Sequence, residues 1–286
     1  MTCKERILSN DYADIIIDFI LPEGSLAEQG LDYCIHTLDE EFSAAYVSRG
    51  QLPPLSIGVF RYSAIPKLYG LMQTFQAENL VEMGNLRVQG PPLSLQGNGV
   101  IIGFIDTGIR YDLDVFKNES GGSRILSIWD QTIQEGTPPA GFLYGTEYTR
   151  EDIERAMQSP EPLSVVPSTD ENGHGTAMAS AAAGSVLDEG LTFRGAAPQA
   201  DIAVVKLKGA KQYLREFYLV DEAADAYQEN DIMEAVKYLE QLAVLFKRPV
   251  VIVLGLGTNM GDHAGNSPLA AYLNRVAAKG SRAVVV

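Results

Sequence analysis

A near-continuous apolar run occupies residues 100–105 and ends abruptly at Asp106, which Thr107 and Gly108 follow. A run of this length is typical of a strand buried on both faces, as in a parallel sheet with helices on either side. Such sheets place their chemistry at the carboxyl ends of the strands. The run therefore predicts an α/β fold and makes Asp106 a candidate reactive group, although an Asp at this position also suits an ordinary turn.

A second motif surrounds His174, which lies between Gly173 and Gly175 and precedes a run of small residues at 176–183. That run predicts a tightly packed helix with His174 in its first turn. The two glycines leave room for another chain to lie close to the imidazole. With Asp106 at a strand end upstream, the pattern favours a catalytic His174 over a structural one.

These two stretches resemble the Asp and His motifs of subtilisin-like serine proteases (peptidase family S8). Residues 105–109 read Ile-Asp-Thr-Gly-Ile, residues 172–179 read Asn-Gly-His-Gly-Thr-Ala-Met-Ala, and Asp precedes His as in that family. The resemblance implies a subtilisin-like, doubly wound and mostly parallel sheet. It implies serine endopeptidase activity on a protein or peptide substrate, with His174 as the base and Asp106 as its orienting carboxylate.

The resemblance also assigns a substrate-binding segment, Gly255, Leu256 and Gly257, whose backbone would pair with an extended peptide. Many subtilisins carry Ser where this chain has Gly255, a difference expected to widen the primary specificity pocket. No cofactor is required. Because many subtilisins bind calcium, Asp112 and Asp114 are candidate calcium contacts, although carboxylates in a loop are more often simply solvated.

The first 80 residues differ in character from the rest. Residues 12–20 predict a strand, and residues 31–38 and 42–47 predict a hairpin. In subtilisin-like proteases this position belongs to a propeptide, an inhibitor whose tail lies in the active-site groove. We therefore expect a small α+β propeptide-like domain and tail at 1–80 and the N-terminal part of a catalytic domain at 81–286, with maturation cleavage somewhere in 72–95.

Segments at 11–14, 33–35 and 63–72 resemble the clostridial Csp-type subtilisin-like proteases. Some members of that group act in spore germination on the precursor of a cortex-lytic enzyme, and others are pseudoproteases. The resemblance therefore implies an association with spores.

The family's Gly-Thr-Ser nucleophile segment and its oxyanion Asn have no counterpart in the 286 residues, and Ser180 is better interpreted as helix packing. We expect the serine in a downstream catalytic half, the chain's own partner, and little activity from these residues alone. A pseudoprotease or binding module with the same fold is the alternative.

Two further alternatives stay open. A dinucleotide-binding enzyme would use Gly255 and Gly257, but Gly261 is one place too far for the motif. A metallohydrolase would use Asp106 and His174 with His263.

The formal net charge of −15 argues against nucleic-acid partners and against anionic membrane surfaces. We find no run long enough to span a bilayer and no signal peptide, which predicts synthesis in the cytoplasm. Cys3 and Cys34 are too few for a disulfide framework and lack metal-ligand spacing, so they either suit a reducing compartment or carry no information about it. A long helix is expected within 221–246, with Asp231 as a cap and Glu234 three residues later.

Overall fold

The computed structural model of the chain describes residues 1–19, 26, 29–72, 95–185, 194–261 and 263–286. Its largest sheet has six strands in the order β12-β10-β5-β8-β6-β7. Five of them run parallel, and β7 pairs antiparallel with β6 at one edge. The strands are β5 (Ile101–Asp106), β6 (Ile125–Asp130), β7 (Thr146–Thr149), β8 (Asp201–Lys206), β10 (Val250–Leu254) and β12 (Arg282–Val285).

Strand β5 is central, and every one of its residues is buried. It pairs with β10 on one side, where Ile105 lies opposite Leu254, and with β8 on the other, where Asp106 lies opposite Lys206. The predicted α/β fold and the buried parallel strand are both confirmed. Asp106 is the last residue of this strand, at the carboxyl edge of the sheet.

Helices cover both faces of the sheet. Alternate residues of β5 point to opposite sides, so that Ile101 and Ile105 lie in one apolar core and Ile102 and Phe104 in another. The helices are α1 (Cys3–Leu8), α2 (Arg150–Met157), α3 (Pro162–Val165), α4 (His174–Ala183), α5 (Gln212–Tyr218), α6 (Glu229–Phe246) and α7 (Pro268–Ala278).

The long helix α6 packs against β5 so closely that a side chain at Gly103 would meet Leu239 Cδ1 at 2.6 Å. The predicted helix is confirmed, but the predicted cap is wrong. The helix begins at Glu229 after Gln228, which places Asp231 and Glu234 inside its first two turns with fully buried side chains. Asp231 pairs with Lys208, and Glu234 Oε1 lies 2.5 Å from Nδ1 of His36, so neither carboxylate caps the helix.

The N-terminal residues form a separate antiparallel sheet in the order β1-β3-β2, made of β1 (Tyr12–Ile17), β2 (Tyr33–Thr37) and β3 (Ser43–Ser48). The predicted hairpin is therefore confirmed. Ile16, Ala44 and Tyr46 of this sheet belong to the same apolar core as Val236 and Leu239 of α6. The N-terminal sheet is thus packed onto the main body of the molecule, while the domain boundary at residue 80 stays a prediction.

Cys3 and Cys34 form a disulfide that joins α1 to β2, with 5.6 Å between their Cα atoms. The expectation that the two cysteines lack a framework role is therefore wrong. Spacing along the sequence could not reveal the pairing, because the two residues meet only when α1 packs against the N-terminal sheet. The bond holds a six-residue helix that contributes Ile7 to the core.

A third, small sheet joins the two parts of the chain. Its central strand β4 (Leu68–Leu71) lies between β11 (Leu256–Gly257) and β9 (Tyr227–Gln228) and is antiparallel to both. Residues that follow the N-terminal sheet therefore run as an extended peptide along the surface of the main body. No helix within the described ranges is long and apolar enough to cross a bilayer.

Candidate active site

Asp106 and His174 meet at the carboxyl edge of the main sheet. Nδ1 of His174 lies 2.7 Å from Oδ1 of Asp106, and both side chains are almost fully buried. Since a carboxylate only accepts hydrogen bonds, this contact assigns the Nδ1 proton to the imidazole. The other ring nitrogen, Nε2, faces an extended segment of the chain at residues 68–72. These are the two residues that the sequence motifs predicted, and the structure brings them together.

Close backbone approach makes this contact feasible. A Cβ atom at Gly175 would lie 2.3 Å from the carbonyl oxygen of Gly108, so only glycine fits where α4 starts. Gly173 adopts the left-handed conformation at the helix N-cap, with φ of 88°. The two glycines around His174 therefore serve the packing of the strand end against the helix start, as their positions in the sequence indicated.

Asp170 links the end of β5 to the start of α4 through hydrogen bonds. The sequence motifs did not identify this residue. One carboxylate oxygen accepts hydrogen bonds from Thr107 Oγ1 and the Gly173 backbone N–H, each at 2.8 Å. The other accepts from the backbone N–H and the hydroxyl of Thr176. Thr107 in turn accepts from the Gly175 N–H at 2.9 Å. The Asp four residues before His174 was the available signal, since Asp commonly accepts hydrogen bonds from nearby backbone N–H groups.

The pKa values of Asp106 and Asp170 are shifted in opposite directions. Burial raises the pKa of Asp106, and hydrogen bonds from Thr107 and His174 only partly offset it. Burial also opposes ionisation of Asp170, but hydrogen bonds from Thr176, Gly173 and Thr107 outweigh it and hold the pKa of this carboxyl below its ordinary value. Asp106 Oδ2 is buried without a hydrogen-bond partner among the described residues.

An extended segment of the chain lies directly over this pair. Residues 68–72, the groove segment, run between β9 and β11, and the backbone N–H of Met72 donates to the Gly255 carbonyl oxygen at 3.0 Å. The carbonyl oxygen of Met72 lies 2.7 Å from Nε2 of His174. The groove segment therefore presents a peptide carbonyl oxygen, which is a hydrogen-bond acceptor, to Nε2 of His174.

The substrate-binding prediction concerned Gly255, Leu256 and Gly257. In the structure Leu256 and Gly257 pair with Leu71 and Gly70 of the groove segment. Gly255 lies against the reactive pair, because a Cβ atom there would be 2.5 Å from Asp106 Oδ2 and 2.9 Å from His174 Cε1. The expectation that this glycine widens a specificity pocket is therefore not supported by its surroundings.

The structure also places the residues of the predicted calcium, metal and dinucleotide sites. Asp112 pairs with Arg110 at 2.8 Å and Asp114 with Lys117 at 2.6 Å, so each carboxylate faces a cation, and the calcium prediction stays untested. Across the described ranges no cluster of three or more His, Cys, Asp or Glu side chains could hold a metal ion. Residues 256–257 form a short strand, and the next helix starts only at Pro268, unlike a dinucleotide loop.

Comparison with known proteins agrees with this geometry. A model of the subtilase family (Peptidase S8) matches residues 97–237, which include both Asp106 and His174. Residues 97–237 of the chain belong to the subtilase family. The family resemblance drawn from the two motifs is confirmed.

Two subtilases show how much of such a protein this chain represents. The structure of the CspB protease of Clostridium perfringens superposes with a TM-score of 0.59 at 28% identity, covering 71% of this chain and 40% of that one. Subtilisin-like protease SBT3.6 of Arabidopsis thaliana is 29% identical over 154 residues, which are 49% of this chain and 19% of that protein. The chain thus spans less than half the length of either subtilase.

Proposed function

We propose that this chain is part of a serine-type endopeptidase in which His174 is the general base and Asp106 its orienting carboxylate. The observation that carries the proposal is the position of His174, which contacts Asp106 through Nδ1 and a peptide carbonyl through Nε2. A buried carboxylate that fixes the tautomer of an imidazole is the arrangement that serine proteases use. Membership of the subtilase family supports the same reaction class.

The proposed reaction needs a serine that reaches Nε2, and we place it in a downstream segment of the protein. His174 Nε2 would take the proton of that hydroxyl as its oxygen attacks the peptide carbonyl, and would then give the proton to the leaving amine. Asp106 would stabilise the imidazolium formed in between. Within the described ranges the ring nitrogens of His174 contact Asp106 and Met72, and no serine side chain.

The groove segment supports an extended peptide as the substrate. Antiparallel pairing on both sides fixes a backbone without demanding particular side chains, which suits an enzyme that cleaves proteins. The carbonyl beside His174 belongs to Met72, so the proposal assigns Met72–Gln73 as the maturation bond, at one end of the expected range 72–95. Residues 1–72 would then be the propeptide, bound as an inhibitor.

Two experiments test the proposal on a polypeptide that contains this chain and the downstream serine segment. Mass spectrometry after expression should find a fragment ending at Met72, and the His174→Ala variant should stay uncleaved. An uncleaved wild-type protein that also fails to hydrolyse casein would instead favour a pseudoprotease, whose groove binds its own segment. The resemblance to Csp-type proteases makes a cortex-lytic enzyme precursor the first natural substrate to test.

A further inference from the structure

A buried ion pair lies in the groove five residues before Met72. Glu229, the first residue of α6, is fully buried, and Lys67, just before the groove segment, is 2% exposed. The Lys67 ammonium lies 3.6 Å from Glu229 Oε2. The same carboxylate oxygen accepts the backbone N–H of Lys67 at 3.0 Å.

The contacts of Glu229 come from two different sources. Its second oxygen, Oε1, accepts the backbone N–H of Leu269 at the start of α7, a contact within the main body. Its Oε2 contacts are both supplied by Lys67. If residues 1–72 leave the groove, Oε2 of Glu229 loses its N–H and its cation together. Such a group favours any ligand that restores both.

Lys67 is held at this position by more than the carboxylate. Its ammonium donates to the Tyr62 carbonyl oxygen at 2.8 Å and lies 4.6 Å from the centre of the Tyr62 ring. Tyr62 leaves with the rest of the N-terminal residues. Once residues 1–72 have left, Glu229 therefore remains on the main body as the polar partner for whichever peptide side chain occupies the position of Lys67.

We propose that Glu229 is a specificity-determining residue that selects peptides carrying a lysine five residues before the residue whose carbonyl meets His174. The inference rests on the proposed function, because it treats the groove segment as a model of the substrate. Pairing with β9 fixes the register: Leu68 lies opposite Gln228, so the preceding residue must lie beside Glu229. A neutral side chain there would leave the buried carboxylate without its cation.

The test uses two synthetic peptides with the sequence of residues 62–78, one with Lys and one with Gln at position 67. Both are mixed with the mature protein that includes the serine segment, and mass spectrometry follows their relative depletion. Since the peptides compete for the same groove, the ratio of their kcat/KM values does not depend on how much of it the N-terminal residues still occupy. We expect the Lys peptide to be preferred about tenfold in kcat/KM, because only its side chain supplies a cation to Glu229.

Two variants assign the preference to the carboxylate. Glu229→Gln should abolish the discrimination, and Glu229→Asp, which keeps the charge on a shorter side chain, should retain part of it. Glu222→Gln removes the same charge from an exposed position and should leave the ratio unchanged. If Glu229→Gln does not fold, the wild-type ratio and Glu229→Asp still decide the question.

The outcomes separate the inference from the proposed function. Equal depletion of both peptides by the wild-type protein overturns the inference and leaves the protease function intact. If neither peptide nor casein is hydrolysed, the protease function fails, and fluorescence anisotropy of the labelled Lys peptide then measures binding directly. Displacement by unlabelled Lys peptide at about tenfold lower concentration than by Gln peptide would support the inference, and equal displacement or no binding would overturn it.

Discussion

His174 Nδ1 lies 2.7 Å from Oδ1 of Asp106, although the two residues are 68 positions apart in the chain. The strand that ends at Asp106 and the helix that starts at His174 meet because glycine at 175 allows their backbones to touch. The pair is almost fully buried, so its hydrogen bond is protected from competing water.

Asp106→Asn should nearly abolish peptidase activity of the protein that includes the serine segment. The amide keeps the shape of the carboxylate, but it can donate to Nδ1 and so favours the wrong imidazole tautomer. We expect kcat on a peptide substrate to fall by about 10⁴-fold. Asp112→Asn, which changes a more exposed carboxylate paired with Arg110, is the matched control and should keep activity near that of the wild type. A loss of less than tenfold for Asp106→Asn would argue against its orienting role.

Asp170→Asn should change how stability depends on pH. Because the folded-state pKa of Asp170 is lowered, its ionised form contributes stability above about pH 5, where the unfolded-state group is also ionised. This contribution is lost as the pH falls through the ordinary Asp value and towards the folded-state pKa. The Asn variant should therefore be less stable at pH 7, by about 1–3 kcal/mol, and should lose less of its stability on acidification. Thermal unfolding of the 286-residue chain between pH 7 and pH 3 measures both effects, and parallel curves for the two proteins would contradict the assignment.

Reduction of the Cys3–Cys34 disulfide should destabilise the chain. The bond closes a loop with a sequence separation of 31 residues, for which the chain-entropy model gives about 3–4 kcal/mol. Thermal unfolding with and without a thiol reductant measures the change. The Cys3→Ser/Cys34→Ser double variant should unfold at the lower temperature and be insensitive to the reductant. Two titratable thiols in the unreduced native protein would contradict the pairing.

Gly255→Ala should disturb the reactive pair. Its Cβ atom would meet Asp106 Oδ2 at 2.5 Å and His174 Cε1 at 2.9 Å, so β11 or the pair must move. We expect the free energy of unfolding to fall by about 1–3 kcal/mol. Gly257→Ala is the control from the same segment, since its Cβ atom would meet only Met72, at 3.4 Å or more. Chemical denaturation measures the free energy of unfolding of both variants. Equal values would show that Asp106 and His174 shift at little cost and would contradict the prediction.

The sequence predicted those parts of the fold that depend on local pattern. The apolar run before Asp106 indicated a parallel strand buried on both faces. The glycines around His174 indicated that another chain segment packs closely against the first turn of the helix. Thr149 caps α2 through a reciprocal pair of hydrogen bonds with Asp152, an arrangement that involves only residues 149–152. Each of these features follows from neighbours within a few residues.

Contacts between distant segments could not be predicted in the same way. Asp231 has the spacing of a helix cap, yet it is fully buried and paired with Lys208, because Glu229 and Asn230 already belong to the helix. Asp14 of the N-terminal sheet meets Lys211, 197 residues away. Neither side chain has a local pattern that reveals its partner. Asp231 meets Lys208 through packing within the main body, and Asp14 meets Lys211 only because the N-terminal sheet packs onto that body.

Labelling with a serine-directed fluorophosphonate tests the central claim most directly. The polypeptide that contains this chain and the downstream segment is treated with the probe, beside its His174→Ala variant, and the intact masses are compared. We predict that the wild-type protein gains one probe adduct, outside residues 1–286, and that the variant reacts about 10³-fold more slowly. A wild-type protein that never reacts, or equal labelling of the variant, would contradict the claim that His174 and Asp106 activate a serine.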